Sequence, residues 1–268
     1  MSKKTVRSRL RQGRLPVRVY KLGGPTLEDP ALLPLLAEEL RRADANVVLV
    51  HGGGRRVDAV LNRLGIETRF VEGRRETSPA AMEIVEMVLA GSVNKGLAAE
   101  LTRAGLPALG LSGRDAALLR AEPVPGLGRV GTRLRVNPDP ILALWSGGFV
   151  PVVAPISAGP DGGALNVNAD EAALGIAMAL FARALVYLSD AEGVRVGEAP
   201  QSALSAEVAM RLIEDGIVAG GMAIKVRTAL AAAAAGVPEV VIAGRARLTG
   251  GFPGTRVSAA SPGVEARG

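Results

Sequence analysis

Six short apolar runs recur along the chain, at Val17 to Leu22, Asn46 to Val50, Pro107 to Leu111, Phe149 to Val153, Ala184 to Leu188 and Glu239 to Ala243. Most are continuous rather than alternating, the pattern of strands buried on both faces. Helical periodicity separates most of them, over Pro30 to Arg42, Arg56 to Leu64, Ser78 to Leu89, Asn94 to Ala104, Asp139 to Trp145, Ala169 to Ala182, Ala206 to Asp215 and Met222 to Ala235. Such alternation predicts an α/β fold, an open three-layer αβα sandwich with a mainly parallel central sheet. Right-handed crossovers then bring the strand C-termini to one edge, where open α/β sheets bind ligands. Ala116 to Val136 breaks the rhythm and reads as an inserted β-hairpin.

Two glycine turns stand at that edge, Lys21-Leu22-Gly23-Gly24 and His51-Gly52-Gly53-Gly54, each where an apolar run stops and a helical pattern starts. Glycine admits close approach of a ligand to the backbone, so several N–H groups can converge on an anion. The following helix adds its positive dipole end. Either turn alone is equally a plain strand-to-helix connection. Two together, one carrying a lysine, point to an anion site.

The net charge of +6 raises the question of nucleic acid, but the positives are unevenly placed. Residues 1 to 18 hold seven Lys and Arg and no acid, leaving 25 basic against 26 acidic residues in the rest. Aromatic residues make up 3% of the chain, which leaves few stacking platforms for single strands. Residues 1 to 16 therefore read as a solvated basic tail, and no specific nucleic-acid partner is expected. No apolar core of a signal peptide follows the positive start, and no apolar stretch is long enough to span a bilayer, so a cytoplasmic protein without membrane contact is expected. The absence of cysteine excludes disulfides, thiolate metal sites and cysteine nucleophiles.

Several familiar motifs fail on context. Gly126-Leu127-Gly128-Arg129-Val130-Gly131 has dinucleotide-loop spacing but follows prolines and opens no helix. No Gly-Lys pair exists, which removes the P-loop. His51 with its three glycines resembles an esterase oxyanion segment, yet the chain lacks a Gly-x-Ser-x-Gly elbow and has no second histidine. His51 is expected to be structural, and a multi-histidine metal site is excluded.

Two further segments remain. Asn166-Val167-Asn168-Ala169-Asp170 opens an apolar helix, with an Asx cap as its plain reading. Gly220-Gly221-Met222-Ala223-Ile224-Lys225 opens another and carries a lysine near the dipole end that disfavours cations, so an anionic partner would explain it.

Taken in order, Lys21, both glycine turns, Asp170 and Lys225 resemble the amino acid kinase family. The resemblance runs from about Val17 to Val257 and includes Val71 to Thr77, Met82 to Leu89, Val93 to Lys95, Pro151 to Ile156 and Tyr187 to Val194. It implies transfer of the γ-phosphoryl of MgATP to the side-chain carboxylate of N-acetyl-L-glutamate, a step of arginine biosynthesis. An aminoadipate derivative is the alternative acceptor, and a non-catalytic nucleotide sensor the alternative role. By similarity, Lys21, Lys225 and Asp170 would be catalytic, and Gly23 and Gly24 would bind phosphate. Gly53, Gly54, Arg75 and Asn166 would bind the amino acid. Asp190, Ala191, Glu192, Gly193, Val194, Arg195, Ile217, Val218 and Ala219 would line the ATP site. Mg2+ would be held mainly by ATP and water, with no protein metal ligand. Residues 17 to 180 would form the substrate and dimerisation lobe and 181 to 268 the ATP lobe.

The sequence departs from the family pattern at Arg74, where an apolar residue is usual, so which of Arg74 and Arg75 grips substrate rests on the spacing to Gly73 and Thr77. Arg55 and Arg56 add charge near the same edge. The N-terminal extension is shorter than that of arginine-inhibited hexameric relatives, which leads to the expectation of an arginine-insensitive homodimer.

Overall fold

A computed structural model describes residues 15–71 and 73–259. The tail expected at residues 1 to 16 lies almost wholly outside the described residues, as does Glu72. All six predicted strands form, within two residues of their expected limits, and join one eight-stranded sheet. Its order is Ala203–Ser205, Thr255–Ser258, Glu239–Ala243, Ala184–Leu188, Val17–Leu22, Asn46–His51, Val150–Ala154, Ala108–Ser112. Every pairing is parallel except that of Glu239–Ala243 with Thr255–Ser258. Ala203–Ser205, at the edge, and Thr255–Ser258, beside it, escape the sequence pattern because strands of three and four residues carry little periodicity.

Alternation along the central strands feeds two apolar layers. Val17, Val19, Val48, Val50, Leu185 and Tyr187 face the Ala169–Ala179 and Gly220–Ala234 helices. Tyr20, Leu22, Val47, Leu49, Val186 and Leu188 face the Leu32–Arg42 and Asn94–Arg103 helices. The sheet runs unbroken across residue 180, since Val17–Leu22 pairs with both Asn46–His51 and Ala184–Leu188. A third apolar cluster, including Val57, Leu61, Met82, Val85 and Leu89, lies between the Gly54–Arg63 and Pro79–Glu86 helices.

Two helices differ from expectation. The pattern over Ser78 to Leu89 becomes an α-helix, Pro79–Glu86, followed by a π-helical stretch, Met87–Val93. The Ala169–Ala179 helix stops short of Ala182, because Phe181 turns to φ 52° and sends the chain into the next strand. Apolar periodicity runs through that corner, so the stop is invisible in the pattern.

The inserted hairpin is present as Leu119–Pro123 against Val130–Val136, and Ile156–Ala158 and Ala164–Val167 close it into a small barrel. Of the glycines that mimicked a dinucleotide loop, Gly126 and Gly128 form its tip and Gly131 lies in its second strand. Gly128 sits at φ 65°, and its backbone lies against Thr77: Thr77 N–H donates to Leu127 O at 3.2 Å and Arg129 N–H to Thr77 O at 2.7 Å. A Cβ on Gly128 would stand 2.4 Å from the Thr77 carbonyl oxygen. Gly128→Ala is therefore expected to lower unfolding free energy by about 2 kcal/mol or more, since backbone rather than a flexible side chain blocks the methyl. Urea denaturation checks this; an unchanged midpoint would mean that the tip can move away from Thr77.

Candidate active site

The C-terminal ends of the two central strands bring the glycine turns together. Leu22 and His51 are register partners, and Gly52 N–H donates to Leu22 O at 2.9 Å. A Cβ on Gly24 would lie 3.7 Å from both Gly53 N and Gly54 N, so the two turns meet backbone to backbone. Gly53 adopts φ 150°, where a side chain would also collide with Leu89 at 2.8 Å. Gly24, Gly53 and Gly54 line a cleft of about 230 Å³ together with Lys21, Arg75 and Asp170. Gly23 is a correction to the expected donor set. Its N–H is spent on Leu188 O at 3.0 Å, which extends the strand ladder.

Strand parity explains Lys21. It follows Val17 and Val19 on the face covered by the Ala169–Ala179 helix, and there it meets Asp170. Lys21 Nζ lies 2.8 Å from Asp170 Oδ1 and Lys225 Nζ 3.8 Å from Oδ2. All three groups are buried, with side-chain exposures of 9%, 7% and 9% for Lys21, Asp170 and Lys225. Asp170 lies in the first turn of its helix, where the dipole favours an anion, and Asn168 caps that turn by accepting from Asp170 N–H at 2.8 Å. Burial opposes the Asp170 charge, but Lys21 and Lys225 together outweigh it and hold the carboxyl below its usual range. Burial, reinforced by repulsion from Lys21, pulls the Lys225 amine down to about 8, while Asp170 and Asp190 oppose the fall.

At the other side of the cleft, Arg75 is buried. Its guanidinium stacks 4.6 Å from the Phe70 ring centroid, pairs with Asp58 at 2.5 Å and donates to Thr68 Oγ1 at 2.8 Å through Nη1. Its Nη2 lies 3.5 Å from Gly54 O, which links it to the second glycine turn. Asn166, also lining the cleft, donates to Thr77 Oγ1 at 3.2 Å, and Thr77 donates to Arg75 O at 2.7 Å. Phe70, Asp58 and Thr68 were not found from sequence, because nothing in local spacing marks a residue as the anchor of a distant arginine.

His51 is fully buried and its imidazole is pulled down to about 4 by desolvation. The network fits a neutral ring that donates from Nδ1 to Gly52 O at 2.7 Å and accepts at Nε2 from Asn94 Nδ2 at 3.0 Å. Asn94 Nδ2 also reaches Val152 O at 2.9 Å, tying the second glycine turn to the adjacent strand. His51 is thus structural, as its solitary position implied.

The residues expected on the nucleotide side are divided by burial. Val194 and Val218 belong to the main core, so their side chains are packing groups. Gly193 lies close against Thr255, whose hydroxyl oxygen accepts from Val194 N–H at 2.8 Å. Glu192 accepts from Ala246 N–H at 3.1 Å, and Asp190 accepts from Ser189 Oγ at 3.1 Å. Arg195 turns outward and donates to Glu198 O, Ile217 is exposed, and Ala219 caps the Gly220–Ala234 helix. Ala191 lies in the bend between Asp190 and Glu192. Among the described residues, no group of three or more His, Cys, Asp or Glu could hold a metal ion, and no helix is long and apolar enough to cross a membrane.

Two buried lysines on one carboxylate, backbone N–H groups in a cleft and an arginine across it define a site for bringing two anions together, at the ligand-binding edge of an open α/β sheet. The chain belongs to the amino acid kinase family, whose sequence profile matches residues 16–244. It is 46% identical over 241 residues to the acetylglutamate kinase of Rubrobacter xylanophilus, covering 89% of this chain and 94% of that one. It is 42% identical over 245 residues to the acetylglutamate kinase of Chloroflexus aurantiacus, covering 90% and 96%. Among solved structures, smu.665 from Streptococcus mutans UA159 superposes with a TM-score of 0.81 at 24% identity, covering 91% of this chain and 99% of that one.

Asp170→Asn removes an attraction that raises the Lys225 value while leaving the Lys21 repulsion in place. The Lys225 amine is then expected to titrate below about 8. NMR titration of the labelled lysine side chains checks the direction; an upward shift would refute the assignment of causes.

Proposed function

We propose that this chain transfers the γ-phosphoryl group of MgATP to the side-chain carboxylate of N-acetyl-L-glutamate, giving N-acetyl-L-glutamyl 5-phosphate and ADP. The observation that carries the reading is the Lys21–Asp170–Lys225 cluster beside a cleft whose opposite wall presents Arg75 and Asn166. The curated relatives at 46% and 42% identity carry the same activity in their names.

The chemistry asks little of acid–base groups. A carboxylate oxygen attacks the γ-phosphorus, the bond to the β,γ-bridging oxygen breaks, and no proton has to be removed from the nucleophile. That agrees with a neutral, buried His51 and with a site built from cations and N–H donors. Phosphoryl transfer depends on positioning and on neutralising charge that spreads over the transferring group. Lys21 and Lys225 supply that neutralisation, and Asp170 fixes their separation. Gly24 N–H serves the phosphoryl side, and Gly53 and Gly54 N–H groups serve the acceptor carboxylate. Arg75 and Asn166 hold the remaining carboxylate, Arg75 through the fork geometry that suits it to such a group.

Asp190 to Arg195 and Ile217 to Ala219 form the nucleotide side, with Val194 and Val218 contributing through backbone. Both Asp170 oxygens face lysines, so Mg2+ is held by ATP oxygens and water, in keeping with its retention of waters. Leu109, exposed on the edge strand Ala108–Ser112, and Phe149, exposed just before the neighbouring strand, support pairing of two copies as a homodimer.

Hydroxylamine trapping of the acyl phosphate, with N-acetylglutamate, glutamate and N-acetyl-aminoadipate compared, tests the activity; the first should give hydroxamate most efficiently, and none from any would end the kinase reading. Lys225→Ala is expected to lower kcat by roughly 10²-fold or more, as for loss of one transition-state donor. The working form of Lys225 is protonated. kcat/KM should therefore fall as pH rises through about 8. Bound phosphates raise the amine's pKa, so the corresponding limb of kcat should lie at higher pH. Coincident limbs would remove Lys225 from the phosphoryl.

A further inference from the structure

The cleft is covered by a hairpin too small to hold itself. Phe70–Val71 and Arg74–Arg75 pair over two residues each and join no other sheet, whereas independent hairpins are marginal in water even when longer. Phe70, Gly73, Arg74 and Arg75 nonetheless line the cleft, so the amino acid must pass or lie beneath them. What fixes the hairpin to the body therefore controls that ligand's access.

Arg75 fastens one strand end through Asp58. A further attachment, on the other side of the hairpin, is Arg74. Its Nε and Nη2 both donate to Glu171 Oε1, at 3.2 and 2.7 Å, and Glu171 Oε2 accepts from Thr132 Oγ1 at 3.4 Å. The carboxylate is thus bracketed between the hairpin and the small barrel. The pair is partly shielded, with side-chain exposures of 30% and 21%, and it crosses between segments 97 residues apart. Gly73, next to Arg74, presses on Ile224, the neighbour of Lys225. Glu171 is the neighbour of Asp170. The cover is therefore pinned at the helix turn that carries the Asp170 end of the lysine cluster, while the catalytic groups themselves make no contact with Arg74 that would make it part of the transfer step.

We propose that Arg74 is a positioning residue for the amino-acid substrate: its ion pair with Glu171 latches the hairpin down over the cleft. The substrate reading is that of the preceding subsection. The latch itself is a statement about this hairpin and can fail separately.

Arg74→Leu, Glu171→Gln, the double variant and Arg74→Lys test the proposal against wild type. KM for N-acetylglutamate should rise roughly three- to tenfold in either single variant, the range of a partly shielded ion pair. kcat and the KM for MgATP should stay within about twofold, because ground-state closure rather than transition-state charge is lost. The double variant should be no worse than either single one, and Arg74→Lys should recover part of the loss. A second readout is independent of turnover: trypsin should cut within the hairpin several-fold faster in Glu171→Gln than in wild type, at arginines whose sequence is unaltered. An unchanged KM with unchanged proteolysis overturns the latch. A fall in kcat with unchanged KM overturns it as well, by moving Arg74 into the transfer step. If wild type forms no hydroxamate, the functional reading fails, and the proteolysis alone decides whether the latch exists.

Discussion

One carboxylate, Asp170, holds two ammonium groups out of water at the end of a sheet. Taking charges from water into a protein interior costs several kcal/mol per ion, and a three-charge cluster with two like charges regains that only through close geometry. Asp170 supplies it with contacts of 2.8 and 3.8 Å and with a place in a capped first helical turn. The downward displacement of Lys225 to about 8 shows that the compensation is incomplete. An incompletely compensated cation beside a cleft is suited to receive an anion, which completes the charge balance when it arrives.

The rest of the architecture fixes where that cluster can be. Lys21 faces Asp170 because strand alternation places it below Val19, and Lys225 arrives from a helix packed on the same sheet face. On the opposite face, His51 and Asn94 tie the second glycine turn to the neighbouring strand through a neutral network. That network keeps a charge away from the backbone donors it positions: a protonated His51 would cost desolvation and would bring the ring proton against Asn94. The π-helical stretch fits the same scheme, since it brings Leu89 and Val93 against Gly53 where a side chain would not fit.

How much of this was legible in sequence follows from the range of each interaction. The six strands and the glycine turns are local statements, written in apolar runs and in Gly at the ends of them. Lys225 was legible because its position contradicts the helix dipole, a local rule whose violation asks for a partner. The identity of that partner as Asp170 needed the family resemblance, since the two are separated by 55 positions and nothing periodic connects them. Arg75 was named, but Phe70, Asp58 and Thr68 were not, because a buried guanidinium recruits whatever polar and aromatic groups the fold brings near. Gly23 illustrates the reverse error: a glycine in the right motif was assigned a free N–H, yet the strand ladder continued one residue further and consumed it.

Arg74 and Arg75 show how adjacent like charges can be given different work. Strand alternation sends their side chains to opposite sides of a two-residue ladder. Arg75 stacks on Phe70 and pairs with Asp58 and Thr68. Arg74 is drawn outward to Glu171, whose second oxygen is occupied by Thr132. The pairing of Arg74 with Glu171 sets that attachment of the hairpin beside Asp170, in the first turn of the Ala169–Ala179 helix.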